Sequence, residues 1–352
     1  MAVFLGPGGV GKTTISAAAA LQASRERSTL VLTIDPARRL ADAMGMRLGS
    51  GEVRVQPKLD AAMLDTKQAL DELVAKYAPS PELLQRILQS PFYAQLSDAF
   101  AGSEEFVSAG KLYEYLEAQR YDLVVVDTPP SAHALDFLEV PERLVKVFDS
   151  GAVQWLFKPS RVLRLAGGRV AHFMARWTSQ QYLDDVATFF LHFDAMFHDM
   201  EQRVRAMRAI LTDPAETGIV VVAAPHPHAM RLAARFYDDL TGRLRLPVDA
   251  IVINGVLADP PRDTGLEEAE LAALFQRGLV AAKVAPARQA PELARALARG
   301  GALYREMASA QQAAMAELVG RAQVEVVQVP LLPESVSSLE GLERVRAGMF
   351  GR

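Results

Sequence analysis

Apolar runs of four to six residues recur along the chain, and stretches with a helical pattern separate them. A continuous run of this kind, rich in β-branched residues, is typical of a strand that is buried on both faces of a parallel sheet. The alternation predicts an α/β fold with a doubly wound, mostly parallel sheet. The runs extend from Ala2 to Leu5, from Thr29 to Ile34, from Leu123 to Val126, from Ile219 to Ala224, from Val248 to Ile253 and from Val324 to Val329.

Two long stretches between these runs carry only helical patterns, one over about residues 66–120 and the other over about residues 142–211. We predict one domain of residues 1–352 whose core carries an inserted helical subdomain made of these two insertions. Another helical region, rich in alanine and charge, runs from Glu267 to Val319. The clearest helix ends the second insertion, where three- and four-residue spacing joins Tyr182, Val186, Phe189, Phe193, Met196, Met200, Val204, Met207 and Leu211.

The first predicted strand leads directly into a glycine-rich loop, GPGGVGKT, from Gly6 to Thr13. The loop fits the phosphate-binding pattern G-x-x-x-x-G-K-S/T, with a strand before it and a helix pattern after it, as the pattern requires. Glycines let backbone N–H groups approach a polyphosphate, and the N-terminus of the following helix adds partial positive charge. The sequence thus predicts a P-loop NTPase. The predicted nucleotide-binding residues are Gly8, Gly9, Val10, Gly11, Lys12, Thr13 and Thr14.

The last residues of this loop have separate predicted roles. Lys12 is predicted to reach the β- and γ-phosphates and to take part in catalysis. Thr13 is predicted to bind Mg²⁺ through its hydroxyl, and Thr14 to contact the α-phosphate. The alternative is a glycine-rich turn with a lysine there by chance, and the strand and helix on either side of the loop count against it.

Two aspartates follow predicted strands, at the sheet edge where ligands of such folds gather. Asp35, in TIDPARRL, is predicted to orient or deprotonate the water that attacks the γ-phosphate. Asp followed by proline is also a common helix start, so a capping role for Asp35 stays equally open. Asp127, in LVVVD, is predicted to lie beside the magnesium, directly or through a water, with a capping role as its alternative. His133 is predicted to be a surface or packing residue.

Composition narrows the function classes. Half of the 352 residues are apolar, which allows a substantial core, and the net charge of −4 argues against a strongly basic nucleic-acid-binding surface. Disulfides and thiolate metal sites are excluded because the sequence has no cysteine. The first strand begins too early to leave room for a signal peptide, and no run of about eighteen apolar residues occurs, so we expect a soluble, cytoplasmic protein.

Five segments occur in a fixed order along the chain: GPGGVGKTT, DPARRL, DTPPSAH, VINGV and PLLPESVSSLEGL. In this set the chain resembles the ArsA-like ATPases, the arsenite-pump and tail-anchored-protein-targeting ATPases, over essentially its whole length. The resemblance implies that Asp35 lies in the first switch as the hydrolytic aspartate and that residues 128–133 form the second switch. It also implies adenine contacts from Asn254, Pro330, Leu331, Leu332 and Pro333.

The residues around Asn254 favour ATP over GTP. Its amide can both donate to and accept from a purine edge, although Asn-Gly is also a strong turn pair. The N-K-x-D pattern of guanine-specific relatives is missing, because NGVL follows the strand instead. We therefore expect ATP or ADP together with Mg²⁺.

Two departures from the family pattern change the expected chemistry. The family's arsenite site is built from cysteines, and some targeting members bind zinc through a C-x-x-C pair, so we expect neither an arsenite nor a zinc site in this cysteine-free chain. Pro7 occupies the place of the signature lysine in G-K-G-G-x-G-K-T, which reaches across a dimer to the partner's nucleotide. Proline has neither charge nor N–H and cannot substitute for it.

Three interpretations of Pro7 stay open. The chain hydrolyses ATP slowly as a homodimer, it receives the missing charge from a lysine-bearing paralogue in a heterodimer, or Arg38 or Arg39 takes the lysine's place. The first two are favoured equally over the third, because both arginines also suit the solvated face of a short helix.

The predicted function is an ATP-hydrolysing dimeric switch, slow without a partner, that couples nucleotide state to the helical subdomain. The Met and Phe stripe would suit an apolar helical client, although such a stripe is more often core. Membrane contact is expected only through a client or partner, and no nucleic-acid binding is expected. The alternatives are a partitioning or positioning ATPase of the same class and a nucleotide-gated scaffold with negligible turnover.

Overall fold

The computed structural model describes residues 1–34, 39–49, 51–78, 80–91, 93–94, 104–128, 134–149, 194–259, 266–284, 286 and 288–351. A central sheet is formed by β1 (Ala2–Leu5), β2 (Thr29–Thr33), β3 (Val53–Gln56), β4 (Leu59–Met63), β5 (Leu123–Asp127), β6 (Gly218–Ala223), β7 (Ala250–Val256) and β8 (Glu325–Pro330). The eight strands lie in the order β3-β4-β2-β5-β1-β6-β7-β8. Neighbouring strands are parallel except for β3 and β4, which are antiparallel.

Helices cover both faces of this sheet. In the described part of the chain they are α1 (Lys12–Ala23), α2 (Arg39–Met44), α3 (Thr66–Tyr77), α4 (Pro81–Leu88), α5 (Glu104–Glu117), α6 (Ala134–Asp149), α7 (Asp194–Thr212), α8 (Pro227–Asp238), α9 (Glu268–Ala281), α10 (Ala290–Arg321) and α11 (Leu339–Phe350). A π-helical turn follows α8 at Asp239–Arg243.

All six predicted strands are present, and their order confirms the doubly wound α/β fold of a P-loop NTPase. The prediction missed β3 and β4, so the predicted third strand is the fifth. Neither missed strand has a continuous apolar run, since β3 alternates in exposure and Asp60 interrupts β4. Asp60 is buried because Arg54 Nε and the hydroxyl of Tyr121 hydrogen-bond to its carboxylate.

Each face of the sheet has its own core. On one face, α1 packs against the sheet and α11 through its small residues, and Ala17, Ala18 and Ala20 are fully buried there. On the other face, α5, α7, α8 and the C-terminal part of α10 cover the strands with residues that include Leu112, Met207, Ala233 and Leu318. Burial of both faces explains why the sheet strands read as continuous apolar runs.

The chain changes direction in the sheet at β1, which lies between β5 and β6. Phe4 of β1 and Thr33 of β2 both lie opposite Asp127 at the end of β5. The carboxyl ends of the three strands therefore meet at one edge, where α/β sheets bind their ligands.

Helices of the two predicted insertions share a small apolar core. Leu70 and Val74 of α3 pack there with Val145 of α6 and with Met200 and Val204 of α7. The described half of the predicted stripe is thus buried, including Met207 and Leu211. Tyr182, Val186, Phe189, Phe193 and the side chain of Met196 lie outside the described residues.

The predicted helical region from Glu267 to Val319 is a pair of packed helices, α9 and the 32-residue α10. Their contact is a small cluster around Leu271, Ala294 and Ala298. Within the described ranges, no helix combines the length and apolar character that crossing a bilayer requires.

Candidate nucleotide site

The loop between β1 and α1 has a backbone path that only glycine allows at two positions. At Gly6, with φ of 153°, an added Cβ would lie 2.1 Å from the carbonyl oxygen of Val222 in β6. Gly11 is the left-handed N-cap of α1, with φ of 89°, and a Cβ there would lie 2.3 Å from Nδ2 of Asn254. The two glycines thus let the loop pass close to β6 and β7.

Lys12 begins α1 and is buried, with 7% of its surface exposed. Its ammonium donates hydrogen bonds to the carbonyl oxygens of Gly6 and Pro7, both at 3.1 Å. The loop carbonyls hold the charge over the loop, beside the positive end of the α1 dipole. This arrangement suits a polyphosphate.

Pro7 is buried within its own chain. Its carbonyl accepts the bond from Lys12, but this is a backbone contribution that any residue could make. The pyrrolidine ring adds no charge to the site.

Asp127 joins the P-loop helix to two strands through one carboxylate oxygen. Its Oδ2 accepts hydrogen bonds from Thr13 Oγ1 at 2.7 Å and from Thr33 Oγ1 at 3.0 Å, and the side chain is fully buried. Because the hydrogen of the Thr13 hydroxyl is used on Asp127, its lone pairs stay available to a cation. Hydroxyl and carboxylate oxygens are the hard ligands that Mg²⁺ prefers, so this donor set fits that ion.

Sequence reasoning missed Thr33. The only signal was a hydroxyl residue at the carboxyl end of an apolar strand, and its meaning depends on the register that sets Thr33 opposite Asp127. Thr128, the first residue of the predicted second switch, is also fixed to the sheet, since its Oγ1 donates to the carbonyl oxygen of Phe4 at 2.7 Å.

Several predicted residues lie outside the described part of the chain. These are Asp35 and Arg38 in the predicted first switch, and residues 129–133, with His133, in the second. Arg39 is described, as the exposed first residue of α2.

The residues predicted to contact adenine come together beside the P-loop. A bulge at Gly255, with φ of 83°, interrupts the pairing of β7 with β8 just after Asn254. Asn254 Nδ2 donates to the carbonyl oxygen of Val10 at 2.9 Å, and Leu331 N donates to that of Val256 at 2.8 Å. Through these bonds, the end of β7 joins the P-loop to the start of the loop after β8, and we call this edge the rim.

A charged network links three helices of the predicted helical subdomain. Lys111 of α5 lies 2.9 Å from carboxylate oxygens of Glu72 and Glu114. Burial lowers the pKa of Lys111, but its bonds to Glu114 and Glu72 outweigh burial and raise the pKa above its ordinary value. Burial and the hydrogen bond to Asp199 of α7 raise the pKa of Tyr77 to about 12. Both shifts favour the protonated forms, which are already the ordinary forms of lysine and tyrosine near pH 7.

Comparison with known proteins places the chain in a family. A family model described as anion-transporting ATPase matches residues 1–273. The chain is 28% identical to the ATPase GET3 of Malassezia globosa over 259 residues, and this alignment covers 73% of this chain and 72% of that protein. It is 26% identical over 272 residues to the ATPase GET3 of Mycosarcoma maydis, with 74% of each chain covered.

A bacterial relative gives a similar result. The chain is 29% identical over 278 residues to a putative arsenical pump-driving ATPase of Chlorobaculum tepidum, covering 75% of this chain and 63% of that protein. The family match contains the P-loop and every strand from β1 to β7, and it ends inside α9. A match of this extent shows that the chain belongs to the anion-transporting, ArsA-like ATPase family and that it is an ATPase.

Proposed function

We propose that this ATPase is a dimeric, Mg²⁺-dependent switch in which nucleotide bound at the carboxyl edge of the sheet controls the helical subdomain of about residues 66–120 and 142–211. The observation that carries the proposal is the pair of hydrogen bonds from Thr13 and Thr33 to Asp127. One buried carboxylate thereby joins the P-loop helix to the two strands that lead into the predicted switches.

The P-loop would hold the phosphates. Backbone N–H groups from Gly8 to Gly11 surround them, Lys12 neutralises the β- and γ-phosphates, and Thr14 contacts the α-phosphate. Thr13 would ligate Mg²⁺, with Asp127 orienting the Thr13 hydroxyl or a water on the ion. When bound, Mg²⁺ neutralises charge that develops on the β- and γ-oxygens.

Asp35 would act on the attacking water. It follows Thr33 by two residues, and the bond from Thr33 to Asp127 fixes the start of its segment at the site. In the proposed step, the water oxygen bonds to the γ-phosphorus while Asp35 takes a proton from that water. The bond from the γ-phosphorus to the leaving oxygen of ADP breaks. Lys12 stabilises the charge that remains on the leaving group.

Asn254 and the loop from Pro330 to Pro333 would hold the adenine. The support is their position on the rim beside the P-loop. In this arrangement, the side-chain amide nitrogen of Asn254 donates to the carbonyl oxygen of Val10. The side-chain amide oxygen of Asn254 would then face a purine amino group.

The route from nucleotide to helices would run through α6. This helix follows the predicted second switch, and Val145 near its far end packs with α3 and α7. The Lys111 network ties α5 to α3, so a shift of α6 would be passed to a connected group of helices.

An apolar helical client would bind this subdomain. This proposal rests on the resemblance to tail-anchored-protein-targeting ATPases, and the apolar residues Phe189, Phe193 and Met196 are the proposed contact. Met200 is removed from that proposed surface, because it is buried in the subunit's own core.

Two substitutions test the assignment of binding and chemistry. Lys12→Ala should abolish tight ATP binding or productive phosphate placement, whereas Asp35→Asn should leave ATP affinity unchanged and slow hydrolysis by about a hundredfold or more. Calorimetry and steady-state phosphate release measure the two effects. Hydrolysis by Asp35→Asn at the wild-type rate would instead support the capping role of Asp35.

Turnover per bound nucleotide, measured over a range of chain concentrations, tests the dimer. A dimeric switch should gain specific activity as concentration rises through its dissociation constant. A constant specific activity would mean that hydrolysis does not require the dimer, and negligible turnover at every concentration would favour the nucleotide-gated scaffold.

A further inference from the structure

Large apolar side chains are exposed along the α9–α10 helix pair. Val284, in the turn after α9, is 67% exposed, Leu303 of α10 is 58% exposed and Leu297 is 44% exposed. Leu274, Phe275, Val284 and Leu297 are among the residues that line an open, apolar depression of about 570 Å³ between the helices. Several large apolar side chains exposed on one helix pair are typical of a contact with another molecule or a membrane.

Backbone geometry and a backbone hydrogen bond fix the turn after α9, in which the exposed Val284 lies. Lys283 has a left-handed φ of 56°, and the backbone N–H of Val284 donates to the carbonyl oxygen of Leu279 at 3.0 Å. This is the helix-ending arrangement that usually has glycine at the left-handed position. Here it presents a lysine and a valine together.

The middle of the same helix pair is basic in an acidic protein. From residue 274 to residue 307 the sequence has six arginine or lysine residues and two acidic residues, Glu292 and Glu306, whereas the whole chain has a net charge of −4. Within this span, the exposed cations are Arg277, Lys283, Arg288, Arg295 and Arg299. Exposed cations beside exposed leucine, valine and phenylalanine are the pattern of a surface that lies on an anionic membrane.

We propose that the α9–α10 pair, from Leu274 to Met307, is a membrane-contact surface that binds anionic phospholipid. Val284, Leu297 and Leu303 enter the acyl boundary, and the surrounding cations contact the lipid phosphates. A second copy of this chain is a poor occupant, because two such basic surfaces would repel each other. A partner with an acidic amphipathic helix is the competing occupant, and it would need the depression alone, whereas the exposed Leu303 and Met307 of α10 lie outside its lining.

Vesicle flotation of the full-length chain tests the charge requirement. We expect binding to phosphatidylcholine vesicles that contain phosphatidylglycerol, little binding to phosphatidylcholine alone, and weaker binding as salt rises. Each of Arg277→Gln and Lys283→Gln should lower the partition coefficient about fivefold, since a cation near an anionic surface contributes about 1 kcal/mol. The matched control is Arg47→Gln, an exposed cation on another part of the chain, which should change nothing.

Because the chain has no cysteine, single labels test the depth of contact directly. An environment-sensitive fluorophore on Val284→Cys should shift to shorter wavelength with anionic vesicles, whereas the same label on Phe350→Cys should not, although Phe350 is also exposed. The proposal is overturned if anionic vesicles are not bound, if both labels respond alike, or if Arg47→Gln weakens binding as much as Lys283→Gln. Binding of a synthetic acidic amphipathic helix, without binding of vesicles, would assign the surface to a protein partner instead.

Discussion

The carboxyl edge of the sheet and the α9–α10 pair depart from ordinary burial in opposite ways. At the sheet edge, the charged groups of Lys12 and Asp127 are buried. On the helix pair, apolar side chains such as Val284 and Leu303 are exposed. Buried charge is costly unless it is paired or meets a ligand, and exposed apolar surface is costly unless it meets a partner. At the sheet edge, hydrogen bonds within the chain stabilise both charged groups, Lys12 through Gly6 and Pro7 and Asp127 through Thr13 and Thr33. On the helix pair, the proposed membrane contact would cover the exposed apolar side chains.

The two regions also differ in what holds them. Several polar groups at the sheet edge are fixed by hydrogen bonds between elements that are far apart in sequence, as with Thr13 and Asp127. The contact of α9 with α10 rests on a few small residues, Ala294 and Ala298 among them. We therefore expect substitutions at the sheet edge to alter catalysis strongly, and substitutions on the exposed helix surface to alter neither fold nor chemistry.

The largest effect should follow removal of the charge on Asp127. Asp127→Asn keeps the shape but replaces the carboxylate that accepts from Thr13 and Thr33, so turnover should fall about a thousandfold, or about 4 kcal/mol in activation free energy. Phosphate release at saturating ATP and Mg²⁺ measures the loss.

The control lies immediately before the first residue of the same strand. Asp122 accepts a hydrogen bond from the backbone N–H of Ser28 at 2.8 Å, at the opposite edge of the sheet. Asp122→Asn should leave turnover within about twofold of wild type, as an exposed substitution away from the site does. An equal loss in both variants would show that damage to the strand, and not loss of the Asp127 charge, slows the reaction.

The second prediction compares the C-terminal part of α10 with its middle. Leu318 is 1% exposed in the core against the sheet, so Leu318→Ala should lower the free energy of unfolding by about 3 kcal/mol. Leu303→Ala removes the same atoms from an exposed site and should change the free energy of unfolding by less than about 0.5 kcal/mol. Denaturant titration compares the variants. A large cost at Leu303 would mean that this surface is already covered in solution.

The sequence predicted one region much better than the other. The P-loop and Asp127 are local patterns, so GPGGVGKT and LVVVD were enough to assign Lys12, Thr13 and Asp127 to one edge. The strands β3 and β4 were missed because β4 carries Asp60, whose burial depends on Arg54 and Tyr121. A local pattern cannot report a hydrogen bond to a buried carboxylate from a tyrosine 61 positions away.

The contacts of Thr33 and Asn254 could not be predicted for a related reason. Thr33 meets Asp127 only through strand register, and Asn254 meets Val10 across 244 positions of sequence. The exposed surface of α9–α10 was equally hidden, since an alanine-rich helical pattern does not say which apolar residues a neighbouring element will cover.

The third prediction separates backbone strain from contact at the sheet edge. Gly9 and Gly11 both have positive φ, but only at Gly11 would a Cβ meet another group, Asn254. Gly9→Ala should weaken ATP binding slightly, through strain of about 1 kcal/mol, and Gly11→Ala should weaken it about tenfold more. Calorimetry with ATP measures both.

A double substitution sharpens this comparison. Asn254→Ala removes the atom that the new Cβ would strike, so Gly11→Ala should cost less in the Asn254→Ala background than alone. Additive losses would contradict the contact and assign the whole effect of Gly11→Ala to backbone strain.

The smallest effect, and the one gain, is expected at Pro7. Lys12 is predicted to serve the chain's own nucleotide, and Pro7 adds only a carbonyl. We therefore predict that charge growing on the leaving phosphate lacks the second cation that the family's signature lysine is expected to supply. Pro7→Lys keeps that carbonyl and adds the charge. Because Pro7 is buried, the new side chain must displace its neighbours to reach a partner subunit. We therefore expect a gain of about fivefold in turnover, well below the thousandfold that a positioned cation in trans can supply.

The controls separate charge from loop relaxation. Pro7→Gln has similar length without charge and should match wild type, and ATP affinity should be the same in all three proteins, because the added cation acts in the transition state. Mixing wild type with a lysine-bearing paralogue should raise turnover in the same direction. Equal gains in Pro7→Gln and Pro7→Lys would trace the effect to the freed φ of residue 7. If wild type turns over as fast as Pro7→Lys and the paralogue does not change its rate, the second cation would instead be Arg38 or Arg39.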